Sequence, residues 1–147
     1  EMCIRDRLDI VFSTATMVAL LVAPVAIIGH QVKRRGLNLE ALLAAITAYV
    51  FVGLFFTFAF NLLSLVSPAS IFDGTDDDSL ANQLFFSFTT LTTTGYGNLV
   101  PSTATSQAIA VAEAITGQLF LITAVARIMR GAGARAAVPA TPSEESP

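Results

Sequence analysis

The basic residues of this chain are confined to three short clusters, Arg5 and Arg7, Lys33 to Arg35, and Arg127 to Arg135, and long apolar stretches fill the intervals. A soluble domain of 147 residues needs a charged surface. Here 54% of residues are hydrophobic and only 13% are charged, too few and too clustered to coat a globule. A bilayer is the natural solvent for such a pattern. The formal net charge of −3 says little about partners, because it averages over two sides of a membrane.

Crossing a hydrocarbon core takes about 20 apolar residues in a helix, and three stretches are long enough: 10–29, 41–66 and 103–129. The first contains Ser13, Thr14, Thr16 and Pro24, which a span tolerates when neighbours satisfy the backbone. The second is the most apolar, with Phe51, Phe55, Phe56, Phe58 and Phe60 ahead of Asn61. The third carries Gln107, Glu113, Gly117 and Gln118. A helix facing lipid all round avoids such residues, so this one is expected to have an inside.

Lys and Arg mark cytoplasmic loops. Lys33-Arg34-Arg35 precedes the second span and Arg127, Arg130 and Arg135 follow the third, whereas Ser67–Pro101 between them has neither residue type. Both clusters and the C-terminal tail are therefore expected in the cytoplasm, with the connecting segment outside. The first span then starts outside although Arg5 and Arg7 precede it, a conflict that a missing upstream span resolves. Residues 1–9 are set aside as a truncated or non-native end, since the chain opens on Glu1 and Met2–Arg7 resembles translated adapter sequence. Residues 130–147 are rich in Ala, Gly, Pro, Ser and Glu without an apolar period and are expected to be a disordered tail. Cys3 stands alone, which suggests neither disulfide nor metal site. His30 reads as an interfacial polar residue at a span end.

The connecting segment has internal order. Asp76-Asp77-Asp78-Ser79 supplies helix-capping oxygens and negative charge for a first turn. Then comes 80–92, beginning LANQLFFSFTTL, apolar enough to enter a membrane. About 12 residues at 1.5 Å each reach roughly 18 Å, a little over half of a 30 Å core. The following Thr93-Thr94-Gly95-Tyr96-Gly97 is a poor helix former and, extended, returns by about 16 Å. Half a helix down and a strand back is a re-entrant loop. Non-helical backbone at membrane depth is tolerated only where it is buried in protein or lines a watery path. Carbonyls aimed at one axis need backbone angles that glycine adopts most easily, which accounts for Gly95 and Gly97. A dehydrated cation is then their partner, Thr93 can add a hydroxyl oxygen, and the carbonyl end of the half-helix contributes partial negative charge.

Leu84–Pro101, LFFSFTTLTTTGYGNLVP, resembles the pore helix and signature filter of the potassium channel family, whose filter reads TVGYG. Thr93–Gly97 agree with that signature at four of five places, and Thr90 and Thr92 fall where the longer pattern has threonine. The resemblance covers 41–129, with outer helix, pore loop and inner helix in family order. It implies an all-α membrane protein with outer helix 41–66, a re-entrant pore helix 80–92, filter 93–97 and inner helix 103–129, preceded by one additional transmembrane helix. One filter strand cannot enclose an ion, so four copies are implied, most simply a homotetramer. Potassium ions would bind at Thr93, Thr94, Gly95 and Tyr96, with Gly97 completing the filter.

Further roles come from the same resemblance. Phe85, Phe86, Thr89, Thr90, Thr92, Asn98 and Glu113 are expected to support the filter. Thr94 replaces the usual Val, Asn98 the usual Asp, and Phe85 and Phe86 stand where many members carry Trp; Phe cannot hydrogen-bond the Tyr96 hydroxyl, so a less rigid filter is expected. Gly117 corresponds to the glycine at which inner helices bend, or else permits close helix packing. Glu113 shares its helix face by i, i+4 spacing and at mid-membrane must be paired, protonated or near water. Asp73, Asp76, Asp77 and Asp78 would form an acidic ring that concentrates cations within about 8 Å of the mouth, or simply a solvated turn.

No paired histidines, nucleophile with a base or phosphate-binding glycine loop occurs, so no enzyme is expected. Repeated arginines of a voltage sensor are missing from the spans. The reading is a potassium-selective channel subunit of a plasma or inner membrane, in contact with lipid and with copies of itself. No nucleic acid, small-molecule substrate or cofactor beyond potassium ions is implied. Its rivals are a weakly selective cation channel, a potassium transporter subunit and a non-conducting membrane regulatory subunit.

Overall fold

The structure, a computed structural model, describes residues 7–20, 22, 39–74 and 77–136. The expectations placed on Cys3, His30, the Lys33–Arg35 cluster, Asp76, most of the latter half of the first span and the tail beyond Ala136 lie outside those residues. Among these residues four helices and one short strand pair follow in order: α1 over 7–20, α2 (Leu39–Val66), β1 (Phe72–Asp73), α3 (Leu80–Leu91), β2 (Val100–Pro101) and α4 (Ala104–Ala136).

Among the described residues two helices are long and apolar enough to cross a membrane, over Leu42–Val66 and Ala104–Ala124. They match the second and third expected spans closely. The start of α4 has a reason in its sequence. Thr103 Oγ1 accepts from the Ser106 amide at 3.1 Å and Ser106 Oγ from the Thr103 amide at 3.0 Å, a reciprocal cap that satisfies donors a helix start leaves free.

Two boundaries depart from the sequence reading. Residues 7–9, set aside with the N-terminal end, are helical and continuous with α1. Helix α4 runs through to Ala136 instead of stopping at Met129, so 130–136 is not a disordered tail. Ala and Arg around Gly131 and Gly133 are among the best helix formers and carry the helix past both glycines.

Helix α3 packs against both α2 and α4, with Gln83, Phe86, Ser87 and Leu91 buried along one stripe at the spacing of a single helix face. Phe86 enters an apolar cluster with Phe60, Ile71, Phe72 and Leu99. Its ring lies 5.2 Å from that of Phe60, edge-on, and 4.7 Å from that of Phe72, separations at which aromatic pairs attract. The antiparallel pairing of Phe72 with Pro101 and Asp73 with Val100 fastens the chain after the loop to the chain after α2. Helix α1 touches the bundle through Ser13, whose hydroxyl donates to Asn61 Oδ1 at 2.6 Å.

Candidate functional site

The Thr93–Gly97 loop begins in the way α3 ends. Thr92 is the C-cap; the Thr93 amide donates to Thr90 O at 3.0 Å and the Thr94 amide to Thr89 O at 2.8 Å. These are the two bonds of a Schellman motif, which needs a left-handed residue just past the cap and usually takes glycine there. Here the residue is Thr93, with φ +59°, a conformation uncommon for any non-glycine residue and strained for a β-branched one. The strain costs on the order of 1–3 kcal/mol and is borne by the surrounding bonds. The Gly95 amide also donates to Thr89 O, at 3.1 Å. Gly95 and Gly97 take φ +52° and +78°, so both glycines occupy backbone that L side chains rarely enter.

A side-chain chain reinforces this junction. Thr92 Oγ1 lies 2.6 Å from Phe88 O and 2.9 Å from Thr94 Oγ1. A carbonyl only accepts and a hydroxyl has one proton, so Thr92 donates to Phe88 and Thr94 donates to Thr92. The hydroxyl that distinguishes Thr94 from valine thus ties the loop to the last turn of α3. Thr89 Oγ1 donates to Phe86 O at 3.0 Å, so Thr89 and Thr90 support the loop through their carbonyls.

The outer part of the loop is held differently. The amides of Tyr96, Gly97 and Asn98 make no hydrogen bond within the described residues. Instead the Phe85 ring stacks on Tyr96, centroids 5.6 Å apart and planes 15° from parallel. Phe86 turns the other way, into the apolar cluster where Leu99 ends the loop. Phe85 therefore contacts the loop at Tyr96, while Phe86 shares the cluster with Leu99. Asn98 is exposed, and its carbonyl packs against Gly74, where a Cβ would come within 2.6 Å.

Behind the loop, α3 is joined to its neighbours by a polar seam. Gln83 Nε2 donates to Ser64 Oγ at 2.9 Å, Ser87 Oγ lies 2.8 Å from Gly53 O, and the Tyr49 hydroxyl donates to Leu91 O at 2.8 Å. From the α4 side, Glu113 Oε1 lies 2.5 Å from Ser87 Oγ. Glu113 is fully buried, so it faces α3. One turn on, Gly117 packs against Leu91, where a Cβ would stand 2.6 Å from the Leu91 carbonyl oxygen. Close packing by itself accounts for a glycine at 117.

Residues 43–131, more than half of the chain, match a protein family described as "Ion channel". This chain belongs to the ion channel family. The match spans α2, the loop and α4 together, and the family is one of channels, not enzymes. The channel is also 38% identical over 50 residues to "Two-pore potassium channel 4" of Arabidopsis thaliana, a match covering 34% of this chain and 18% of that protein. The chain thus spans a small part of that relative's length. No solved structure matches it. The resemblance to pore-loop potassium channels read from Leu84–Pro101 agrees with both matches.

The acidic segment of the channel is arranged otherwise than expected. Ser79 is the N-cap of α3, but its side chain makes no capping bond. Asp78 instead accepts from Ser70 Oγ at 2.8 Å and from the Ile71 amide at 2.9 Å, which holds the segment after α2 against the start of α3. Asp77 Oδ1 accepts from the Ser79 amide at 3.0 Å. Asp73 and Asp77 are exposed and Asp78 half-buried. Sequence reasoning did not single out Tyr49, Gly53, Ser64, Gln83 or Ser87. Isolated polar residues in apolar spans were the available signal, since each needs a partner there.

Proposed function

We propose that this chain is one subunit of a potassium-selective channel in which Thr93–Gly97 of four copies form the filter and α3 serves as the re-entrant pore helix. The observation that carries this reading is a glycine-bearing TTGYG loop, with Gly95 and Gly97 at positive φ, hung from the end of a half-length helix between two span-length helices. Potassium ions, the transported species, exchange water for carbonyls and the Thr93 hydroxyl and pass in single file down their gradient.

In this reading the basic clusters and C-terminal end are cytoplasmic and the Ser67–Pro101 segment faces outside. Helix α4 lines the cavity, with Gly117 packed against Leu91. Exposed Asp73 and Asp77 attract cations. The outward apolar residues Leu42, Ile46, Val111, Ile115, Leu119 and Ile122 meet lipid or neighbouring copies. A shallow apolar depression lined by Leu54, Leu84, Phe85, Phe88 and Tyr96 supports contact with a second copy beside the filter. A second reading, a weakly selective cation channel, is favoured by the lack, among the described residues, of hydrogen bonds from the Tyr96, Gly97 and Asn98 amides.

Reversal potential decides between them. In planar bilayers with potassium on one side and sodium on the other, the purified protein is expected to reverse near the potassium equilibrium potential, and Gly95→Ala to abolish the current. Reversal near zero would establish the weakly selective pore.

A further inference from the structure

Glu113 is a buried carboxyl group that reaches α3 from α4. Its Oε1 and the Gly53 carbonyl both contact Ser87 Oγ, at 2.5 Å and 2.8 Å. A carbonyl and a carboxylate only accept, and a serine hydroxyl has one proton to give. With Glu113 as a carboxylate, one of these two oxygen–oxygen contacts contains no hydrogen.

Among the described residues the surroundings offer Glu113 no other donor, and the buried Thr57 hydroxyl gives its proton to Gly53 O at 2.9 Å, not to Glu113. No lysine or arginine occurs between Arg35 and Arg127. Tyr49, the titratable residue of α2 nearest the site, gives its proton to Leu91 O, and α3 itself contains no ionisable side chain. Glu113 Oε2 is buried with no hydrogen-bond partner among the described residues, a place where an uncompensated negative charge is costly.

We infer that the proton between Glu113 and Ser87 belongs to Glu113: Oε1–H donates to Ser87 Oγ, and Ser87 Oγ–H donates to Gly53 O. The three helices are then joined by one directed, neutral chain from α4 through α3 to α2. Glu113 is a positioning residue, holding α3 and the loop it carries without placing a charge behind the ion path. This arrangement holds whether the pore is strictly or weakly selective.

Infrared spectroscopy of the full chain reconstituted in lipid at neutral pH tests the assignment, because solvent-exposed glutamates are ionised there. The expected spectrum has a protonated-acid carbonyl band that disappears in Glu113→Gln and moves in Ser87→Ala. Conduction is expected to survive in Glu113→Gln, whose amide N–H donates in the same sense, and to be lost in Glu113→Ala. Should Glu113→Gln fail to assemble, wild-type protein carrying carboxyl-13C glutamate still decides: the acid band shifts with the label. Glutamate carboxylate bands alone, with no labelled acid band, would overturn the inference. Reversal potential is a separate readout, so failure of the potassium reading and failure of this assignment are distinguishable.

Discussion

The two halves of the Thr93–Asn98 loop are held by different chemistry. From Thr93 to Gly95 the chain hangs on the last turn of α3 by three amide bonds and a relay of two threonine hydroxyls. From Tyr96 outward it rests on a stacked ring, an apolar anchor at Leu99 and a two-residue strand pairing. Directed hydrogen bonds fix atoms to a few tenths of an ångström, whereas ring stacking and apolar burial are tolerant of sliding. The inner half is therefore the one whose oxygens are geometrically determined by this chain. The outer half depends on how tightly its aromatic support is packed.

Removing the support of one half should leave the other readable. Phe86→Ala takes a ring out of the Phe60–Phe72 cluster and should cost about 3–5 kcal/mol, the largest effect expected. It should appear as a lowered thermal midpoint in detergent while the amides of Thr93, Thr94 and Gly95 stay protected from hydrogen exchange in the folded protein. Loss of that protection would mean the halves are not independent. Gly117→Ala pushes a methyl group to 2.6 Å from Leu91 O and acts on the inner half, at about 1–3 kcal/mol for overpacking. Exchange at Thr93 to Gly95 should then rise. A variant as stable as wild type would show that α4 yields readily at that point.

The smallest effects dissect the hydroxyl relay. Thr94→Val removes one bond, about 0.5–1.5 kcal/mol, and Thr92→Val removes two, about 1–3 kcal/mol. The double variant should be no worse than Thr92→Val alone, because Thr94 donates only to Thr92. Additive losses in unfolding measurements would break the relay.

The resemblance of Phe85 and Phe86 to positions that carry Trp elsewhere led to an expectation of a poorly braced filter. In the structure the Phe85 ring stacks on Tyr96, a contact without a directed bond, and Phe86 is buried in the apolar cluster. Thr94 shows the opposite trade: a hydroxyl in place of an apolar branch adds a directed bond at the inner half.

The sequence by itself determined the span-length helices, the half-length helix between them and the loop with its two glycines, because hydropathy, length and backbone sterics are local properties. Helix boundaries at α2, α3 and α4 were legible for the same reason, apart from the extension to Ala136, where helix-forming residues outweighed two glycines. Only the tertiary structure decided which polar residues meet. Ser87 with Glu113, Tyr49 with Leu91 and Asp78 with Ser70 are separated by 26, 42 and 8 positions, and no periodicity within one helix encodes a partner on another. The left-handed turn at Thr93 is local, set by the end of α3 itself. A β-branched residue reads locally as extended backbone, and it takes a helix-capping conformation because the carbonyls of Thr89 and Thr90 at the end of α3 are there to be satisfied.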